Sequence, residues 1–329
     1  MNIQQYNNQE KQGNLYPLDL QFQRMMQEIG AQPEEQIRLR LNLLYKALPD
    51  RIQKILEDYF KKYGFWGTLN ISAGDDGVLA NRAKALHDHY EDFLWLYQRL
   101  ADYRSRLVLF AFVNNWYSFD TETLRVVKET LYKSYFDMDI MKCGSEEVMV
   151  DLGAYTGDTV KDYISVYGAN YKRFYCYEIS PRTMQMLQEN LKGYENIVYC
   201  QKGASDHPGR MYIQEHAADI SANVLTDQGS IAVEAVTIDQ DIQEPVTLIK
   251  MDIEGSEQQA LRGAAAKIKE SKPKLALSLY HNNEDVWKIP RMVEEICPGY
   301  TFYLRYHGEN LSPTELTLLA VWENAEEKA

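Results

Sequence analysis

Glu146-Glu-Val-Met-Val-Asp-Leu-Gly-Ala-Tyr-Thr-Gly-Asp-Thr159 is the stretch whose reading decides the fold. Val148-Met149-Val150 is a short apolar run of the kind buried on both faces of a parallel sheet. Asp151-Leu152-Gly153-Ala154-Tyr155-Thr156-Gly157 follows, and a helical pattern opens behind it at Asp158. Gly153 and Gly157 permit a tight turn and close approach of backbone to a ligand. A helix start behind them supplies unpaired N–H groups and partial positive charge. Strand, glycine turn and helix together predict a nucleotide-type cradle.

Working outward from the turn, the spacing Asp-x-Gly-x-x-x-Gly differs from the Gly-x-Gly-x-x-Gly that approaches a pyrophosphate. Asp151 at the strand end would repel a phosphate but suits an ammonium, as in the amino-acid end of S-adenosylmethionine. Arg173 to Tyr177 reads as the second strand and delivers Glu178, an acid placed to accept both hydroxyls of a ribose. A nicotinamide-dependent enzyme is disfavoured by the same two features.

The pattern from Glu146 onward alternates strand and helix, which predicts a doubly wound α/β domain. Ser180-Pro181 starts a helix, and Ile197 to Cys200 is a third strand. Lys202 to Asp206 then reads as a loop, whose Ser205 and Asp206 would lie beside an adenine. Short β-like pieces between 210 and 239 read as an inserted hairpin. The fourth core strand, Val246 to Met251, runs into Asp252-Ile253-Glu254-Gly255-Ser256-Glu257. Ligands bind at the carboxyl ends of such strands, so Asp252 and Glu254 are expected in the crevice with Asp151 and Glu178. A fifth strand, Leu275 to Tyr280, delivers His281 to the same edge, and Asp285 follows. Thr301 to Tyr306 and Leu316 to Trp322 are the last strands, the second closing the sheet antiparallel.

Residues 1 to 140 read differently. The first 16 or so are polar, rich in Gln and Asn, and expected to be loosely ordered. Helical periodicity then runs up to about Met141, with Ile37, Leu41, Leu44, Tyr45 and Leu48 on one face. Asp50 is placed to cap the next helix, which carries Ile52, Ile55, Leu56, Tyr59 and Phe60. His87 and His89, two apart on a helix, point to different sides and make poor metal partners. The expected organisation is a helical domain over 1–140, serving as lid, packing element or dimerisation surface, and a catalytic domain over 141–329.

Composition removes several classes of function. A net charge of −13 over 329 residues disfavours a general binder of nucleic acid or anionic membrane. The apolar run Leu107 to Val113 is too short to span a bilayer, and no secretion signal is visible. Cys143, Cys176, Cys200 and Cys297 are scattered without a Cys-x-x-Cys, so no zinc site or disulfide framework is expected and a reduced cytoplasmic setting fits. Asp252 with Glu254 offers two oxygens for an ion, but no further metal-ligand cluster is apparent, and no metal is expected.

Residues from about Leu100 to Trp322 resemble the FkbM-type methyltransferases of the bacterial branch. The resemblance rests on Val150 to Thr159, on Ile249-Lys250-Met251-Asp252-Ile253-Glu254-Gly255-Ser256-Glu257, and on Tyr280-His281-Asn282 with Asp285-Val286-Trp287 and Ile289-Pro290. Tyr103 to Arg106 and Ser134-Tyr135-Phe136-Asp137 resemble the helical lead-in of such proteins. The resemblance implies a Rossmann-like class I sheet of seven strands and O-methylation of a hydroxyl on a small natural product or saccharide. It implies that Asp151, Gly153 and Gly157 carry the methionine end of S-adenosylmethionine, with Ala154, Tyr155 and Asp158 also at the cofactor, Glu178 on the ribose and Ser205 and Asp206 flanking the adenine. Asp252 also borders the donor. A base near the acceptor hydroxyl adds typically 10²–10⁴-fold. His281 is the first candidate because histidine titrates near working pH, followed by Asp252 and Glu254. The competing reading is a catalytically inactive binder of the same donor, acting as sensor or scaffold. Alanine at His281 or Asp252 separates the two, since only an enzyme loses turnover while keeping donor binding. The partners expected are a small hydroxyl-bearing acceptor and a second copy of the chain, paired through the helical domain.

Overall fold

A computed structural model of the chain describes residues 16–64, 66–214, 224–226 and 231–322. The polar N-terminal stretch lies outside these residues except for Tyr16. The chain separates into two compact units. One holds the described residues through Lys128 together with Gly308–Thr314, and the other holds Glu129–His307 and the chain from Glu315.

The first unit is helical: α1 (Pro17–Gly30), α2 (Glu34–Ala47), α3 (Asp50–Tyr63), α4 (Gly77–Arg99), α5 (Tyr103–Ser118) and the short α6 (Glu122–Val127). Its core is strongly aromatic. Phe22 stacks on Tyr97 with ring centroids 4.2 Å apart, and Phe60, Phe93, Phe112 and Trp116 are buried. Asp50 is the first residue of its helix, and Pro49 takes the cap position in its place. The proline ring presets an extended-to-helical entry without a capping side chain. No helix among the described residues is long and apolar enough to cross a membrane.

Helix ends at Val127 rather than near Met141, and residues 129–147 are irregular. Glu129 accepts the N–H groups of Leu131 and Tyr132, and Asp137 accepts that of Asp139. Acid side chains that bond nearby backbone in this way compete with the helical ladder. Arg305 then anchors the segment by donating to the buried Asp137 at 2.6 Å.

The second unit is built on a seven-stranded sheet. Its strands are β1 (Val148–Leu152), β2 (Arg173–Tyr177), β3 (Ile197–Cys200), β8 (Leu248–Met251), β9 (Lys274–Ser278), β10 (Tyr300–Tyr306) and β11 (Leu316–Trp322), numbered with the smaller sheet below. They lie in the order β10-β11-β9-β8-β1-β2-β3. β1 pairs parallel with β2 and β8, and β8 with β9, whereas β11 runs antiparallel to both β9 and β10. The four central strands are buried along nearly their whole length, as expected for strands sandwiched between helices. The switch in strand order falls between β1 and β8, where open α/β sheets place their ligand crevice.

Lys202–Ala204 is a strand, β4, and not the expected loop. It pairs parallel with β7 (Ile231–Val236), which also pairs antiparallel with β5 (Gly209–Gln214), and β6 (Val224–Thr226) completes a second, four-stranded sheet. The three-residue run was unreadable as a strand because its partner lies some thirty residues further along. The expected hairpin is the β5–β7 pair of this sheet.

Candidate active site

The glycine turn is fixed by the backbone of its neighbours. Gly153 and Ala154 both donate their N–H groups to the Tyr177 carbonyl, at 3.1 and 2.9 Å. Gly153 has φ +78°, and a Cβ there would overlap the carbonyl oxygen of Asp252. Two requirements therefore coincide at this glycine: the left-handed backbone and the contact of the β1 turn with the end of β8. Ala154 is fully buried in the core beside Val160 and Met149, so only its backbone can meet a ligand. Gly157 caps α7 (Asp158–Tyr167), and Asp158 is its exposed first residue. An acid there faces the helix's positive end.

Asp151 and Lys250 are register partners on β1 and β8. Both are buried, with Lys250 Nζ 3.0 Å from Asp151 Oδ1. The ammonium aims its aligned hydrogen bonds at the carbonyls of Gly153 (2.7 Å) and Leu152 (3.4 Å), so its contact with Asp151 is a charge contact. Burial pushes the Asp151 carboxyl up to about 6 against the opposing pull of Lys250. Lys250 was quoted in the sequence motif without a role, and the structure shows it tying both strands and the glycine turn together. A lysine between two apolar residues of a buried strand is the signal that could have found it.

Glu178 follows β2 directly and is 9% exposed. Its Oε1 accepts the Ser180 N–H at 2.8 Å. Burial pushes its carboxyl up to about 7, opposed by backbone bonds from Ser180, Tyr155 and Ile179 and by the charge of Lys250. The Tyr155 bond places the glycine turn and the second acid side by side. Ser205 is buried at the end of β4, and its N–H bonds the Val236 carbonyl at 2.9 Å. Asp206 is drawn to Arg262 (3.0 Å) and His207 (2.7 Å), which hold its carboxyl below the usual range.

The end of β8 is crowded with side chains. Asp252 accepts Tyr135 Oη at 2.8 Å and Tyr280 Oη at 3.1 Å. Burial alone would raise its carboxyl, but Lys250, His281 and bonds from Tyr135 and Ser278 hold it below the ordinary value. His281 is 1% exposed and lies 2.8 Å from Glu257 through Nδ1, with Nε2 3.5 Å from Asp252 and 3.4 Å from Glu254. Burial would lower this imidazole, yet the three carboxylates push it up to about 10. Glu254, with φ +55°, is pushed up to about 8 by burial, with His281 opposing. Glu315 joins them at about 7, raised by burial and by Asp252. Asp285 starts the helix Asp285–Ile296 and accepts Gln258 Nε2 at 2.8 Å and both nitrogens of Asn282. Tyr135, Tyr280 and Glu257 stood in quoted motifs without a role, and Glu315 was passed over. Each becomes visible only once the strands are laid side by side.

Residues 151–309 match the family model for the methyltransferase FkbM domain. Among solved structures, a methyltransferase FkbM from Methylobacillus flagellatus KT is 26% identical, covers 81% of this chain and 70% of its own, and superposes with a TM-score of 0.61. An rRNA methylase from Streptococcus thermophilus is 14% identical, over 55% of this chain and 89% of its own, with a TM-score of 0.36. Aeropyrum pernix fibrillarin, in complex with natively bound S-adenosyl-L-methionine, is 13% identical over 55% of this chain and 70% of its own, also at 0.36. No curated protein matches the chain. The match over 151–309 to the methyltransferase FkbM domain thus sits on a glycine turn, acidic strand ends and a seven-stranded sheet in class I methyltransferase order.

Proposed function

We propose that the chain transfers a methyl group from S-adenosylmethionine to a hydroxyl of a small natural product or saccharide. The observation that carries this reading is the junction of two edges: the Gly153 turn rests on the Asp252 carbonyl while its Tyr155 N–H reaches Glu178. The donor's charge fits the residues present. Asp151 and Glu178 share the ammonium of Lys250 with Asp252, and neither Asp151 oxygen accepts a hydrogen bond among the described residues. A cationic ligand with vicinal hydroxyls would relieve both. When bound, S-adenosylmethionine supplies an electrophilic methyl group on a sulfonium.

The protein's part is alignment and proton removal. Asp151, Gly153, Tyr155 and Gly157 would hold the methionine end, and Glu178 the ribose hydroxyls. Ser205 and Asp206 border the expected adenine position. Fixing donor and acceptor in line supplies much of the rate in such displacements. His281, held charged by its three carboxylate neighbours, donates rather than accepts. Glu254 takes over the role of base, because a carboxyl raised to about 8 is poised near working pH. Asp252, kept ionised and gripped by Tyr135 and Tyr280, anchors the acceptor hydroxyl or its tyrosine partners. All four cysteines are free thiols, which supports a reducing, cytoplasmic setting.

A thermal-shift comparison of S-adenosylmethionine, S-adenosylhomocysteine and NAD tests the donor, since a ligand of the folded state raises Tm. The first two should raise it and NAD should not, and a shift with NAD alone would overturn the reading. Transfer of labelled methyl to a panel of hydroxyl acceptors tests the reaction. Glu254→Gln should lower kcat by about 10²–10⁴-fold with donor binding intact.

A further inference from the structure

Glu257 is buried at the start of the helix Glu257–Gly263, and one of its oxygens bridges two parts of the chain. Oε1 accepts the N–H of Ile253 at 2.8 Å and lies 2.8 Å from Nδ1 of His281. The other oxygen, Oε2, accepts no hydrogen bond among the described residues, so both bonds of the carboxylate run through Oε1. The first bond closes the turn after β8, as an acid in the first turn of a helix does when it reaches back to a free N–H. That turn needs closing. Glu254 and Gly255 both stand at positive φ, +55° and +97°, and a left-handed glutamate persists only where its neighbours hold it. The second bond crosses to the segment after β9 and orients an imidazole. With Nδ1 held, Nε2 faces Asp252 Oδ1 at 3.5 Å and Glu254 Oε2 at 3.4 Å.

The charge matters as well as the bonds. His281 is faced by Asp252 and Glu254 from the turn, by Glu257 from the helix behind it, by Asp285 and Glu315, and by the ring of Tyr280. Burial opposes a charged imidazole here, and Glu257 is the strongest of the groups that restore it. In a neutral His281 whose Nδ1–H points at Glu257, Nε2 would present a bare lone pair 3.4 Å from Glu254 Oε2. The two groups would then compete for one proton. A carboxylate on Nδ1 settles that competition in favour of the imidazole and leaves Glu254 open.

We propose that Glu257 is a positioning residue: it locks the turn that carries Asp252 and Glu254, and it fixes the imidazole of His281 so that Glu254 is the base. Enclosed at 1% exposure, it acts through these neighbours. The locking stands on the two bonds of Oε1. Its consequence for turnover rests on the methyl-transfer reading above.

The experiment follows the histidine ring protons of the full chain by NMR across pH, with the His281 resonance identified by its loss in His281→Gln. In the parent that ring should titrate near pH 10. Glu257→Gln keeps an acceptor for Ile253 but removes the charge, and the midpoint should fall by about 1–3 pH units. Affinity for S-adenosylhomocysteine by calorimetry should stay within about twofold of the parent. With an acceptor identified from the panel, kcat should fall by about tenfold or more, and its alkaline limb should move down with the ring. A side chain that only supports the fold would lower Tm and donor affinity together and leave that limb in place. Glu257→Asp keeps the charge but is one methylene short, so hydrogen exchange at the Ile253 amide should quicken while His281 stays charged at neutral pH. This second variant keeps the test open where Glu257→Gln fails to fold. A parent His281 that is neutral at working pH, an unmoved midpoint in Glu257→Gln, or Ile253 exchange at the parent rate in Glu257→Asp overturns the proposal. If S-adenosylhomocysteine binds neither parent nor variants, the donor reading falls, while ring titration and amide exchange still decide the role of Glu257.

Discussion

The strand ends at Gly153 and at Asp252 form two edges that solve opposite problems. Around Gly153, backbone does the work: carbonyls and N–H groups of β1, β2 and β8 satisfy one another, and one lysine sits against the buried Asp151. Around Asp252, side chains do it, with Glu254, Glu257, His281, Glu315, Tyr135 and Tyr280 crowded within reach. The first edge can be rigid because the donor it is proposed to hold never varies. The second keeps groups whose charge responds to what binds. Rigid backbone for the invariant partner and titratable side chains for the reacting one is the division the comparison teaches.

Breaking the first edge should have the largest effect on stability. Lys250→Met strands Asp151 as a buried, unpaired carboxylate, and loss of one partner of such a pair costs about 3–5 kcal/mol. Urea denaturation should show that loss, and Asp151→Asn in the same chain should recover much of it. If Lys250→Met is as stable as the parent, the lysine is not what neutralises this edge. Gly153→Ala comes next, at about 1–3 kcal/mol from overpacking against Asp252, with added strain from the positive φ. Its denaturation midpoint should fall, and donor binding should fall with it.

Glu178→Ala sharpens the comparison within the donor side. Ribose hydroxyls left unpaired cost about 1–3 kcal/mol, or roughly 5- to 150-fold in donor affinity by calorimetry. Wild-type affinity in that variant would remove Glu178 from the site. The smallest effect is on pH. The folded carboxyl of Glu178 sits at about 7 against 4.5 for the free group, with Lys250 and the N–H groups of Ser180, Tyr155 and Ile179 facing it. A raised folded value means the ionised form is the one the fold resists. Its contribution to the ligand-free stability therefore falls as pH climbs from about 4.5 to 7 and then levels. Donor binding needs the ionised acceptor, so affinity should rise by up to about tenfold between pH 6 and 8. Glu178→Gln should flatten that profile.

Much of this was readable in the chain itself. β2, β3 and β11 match their expected bounds, and Glu178 falls where the end of β2 requires. Hydrophobic runs and glycine spacing are local, and local patterns survive without a fold. The β4 strand and the irregular stretch at 129–147 were missed for the complementary reason. One depends on a distant partner strand, and the other on acids that bond backbone in place of the helix.

The sequence by itself determined the order of strands and helices, the glycine turn and the acids that end β2 and β8. Only the tertiary structure decided which charges those acids carry and who surrounds them. Tyr135 reaches Asp252 across 117 positions, and Glu257 finds His281 across 24. Burial and the approach of other charges set a carboxyl's or an imidazole's proton affinity, and both are properties of neighbours in space that no spacing along the chain can state.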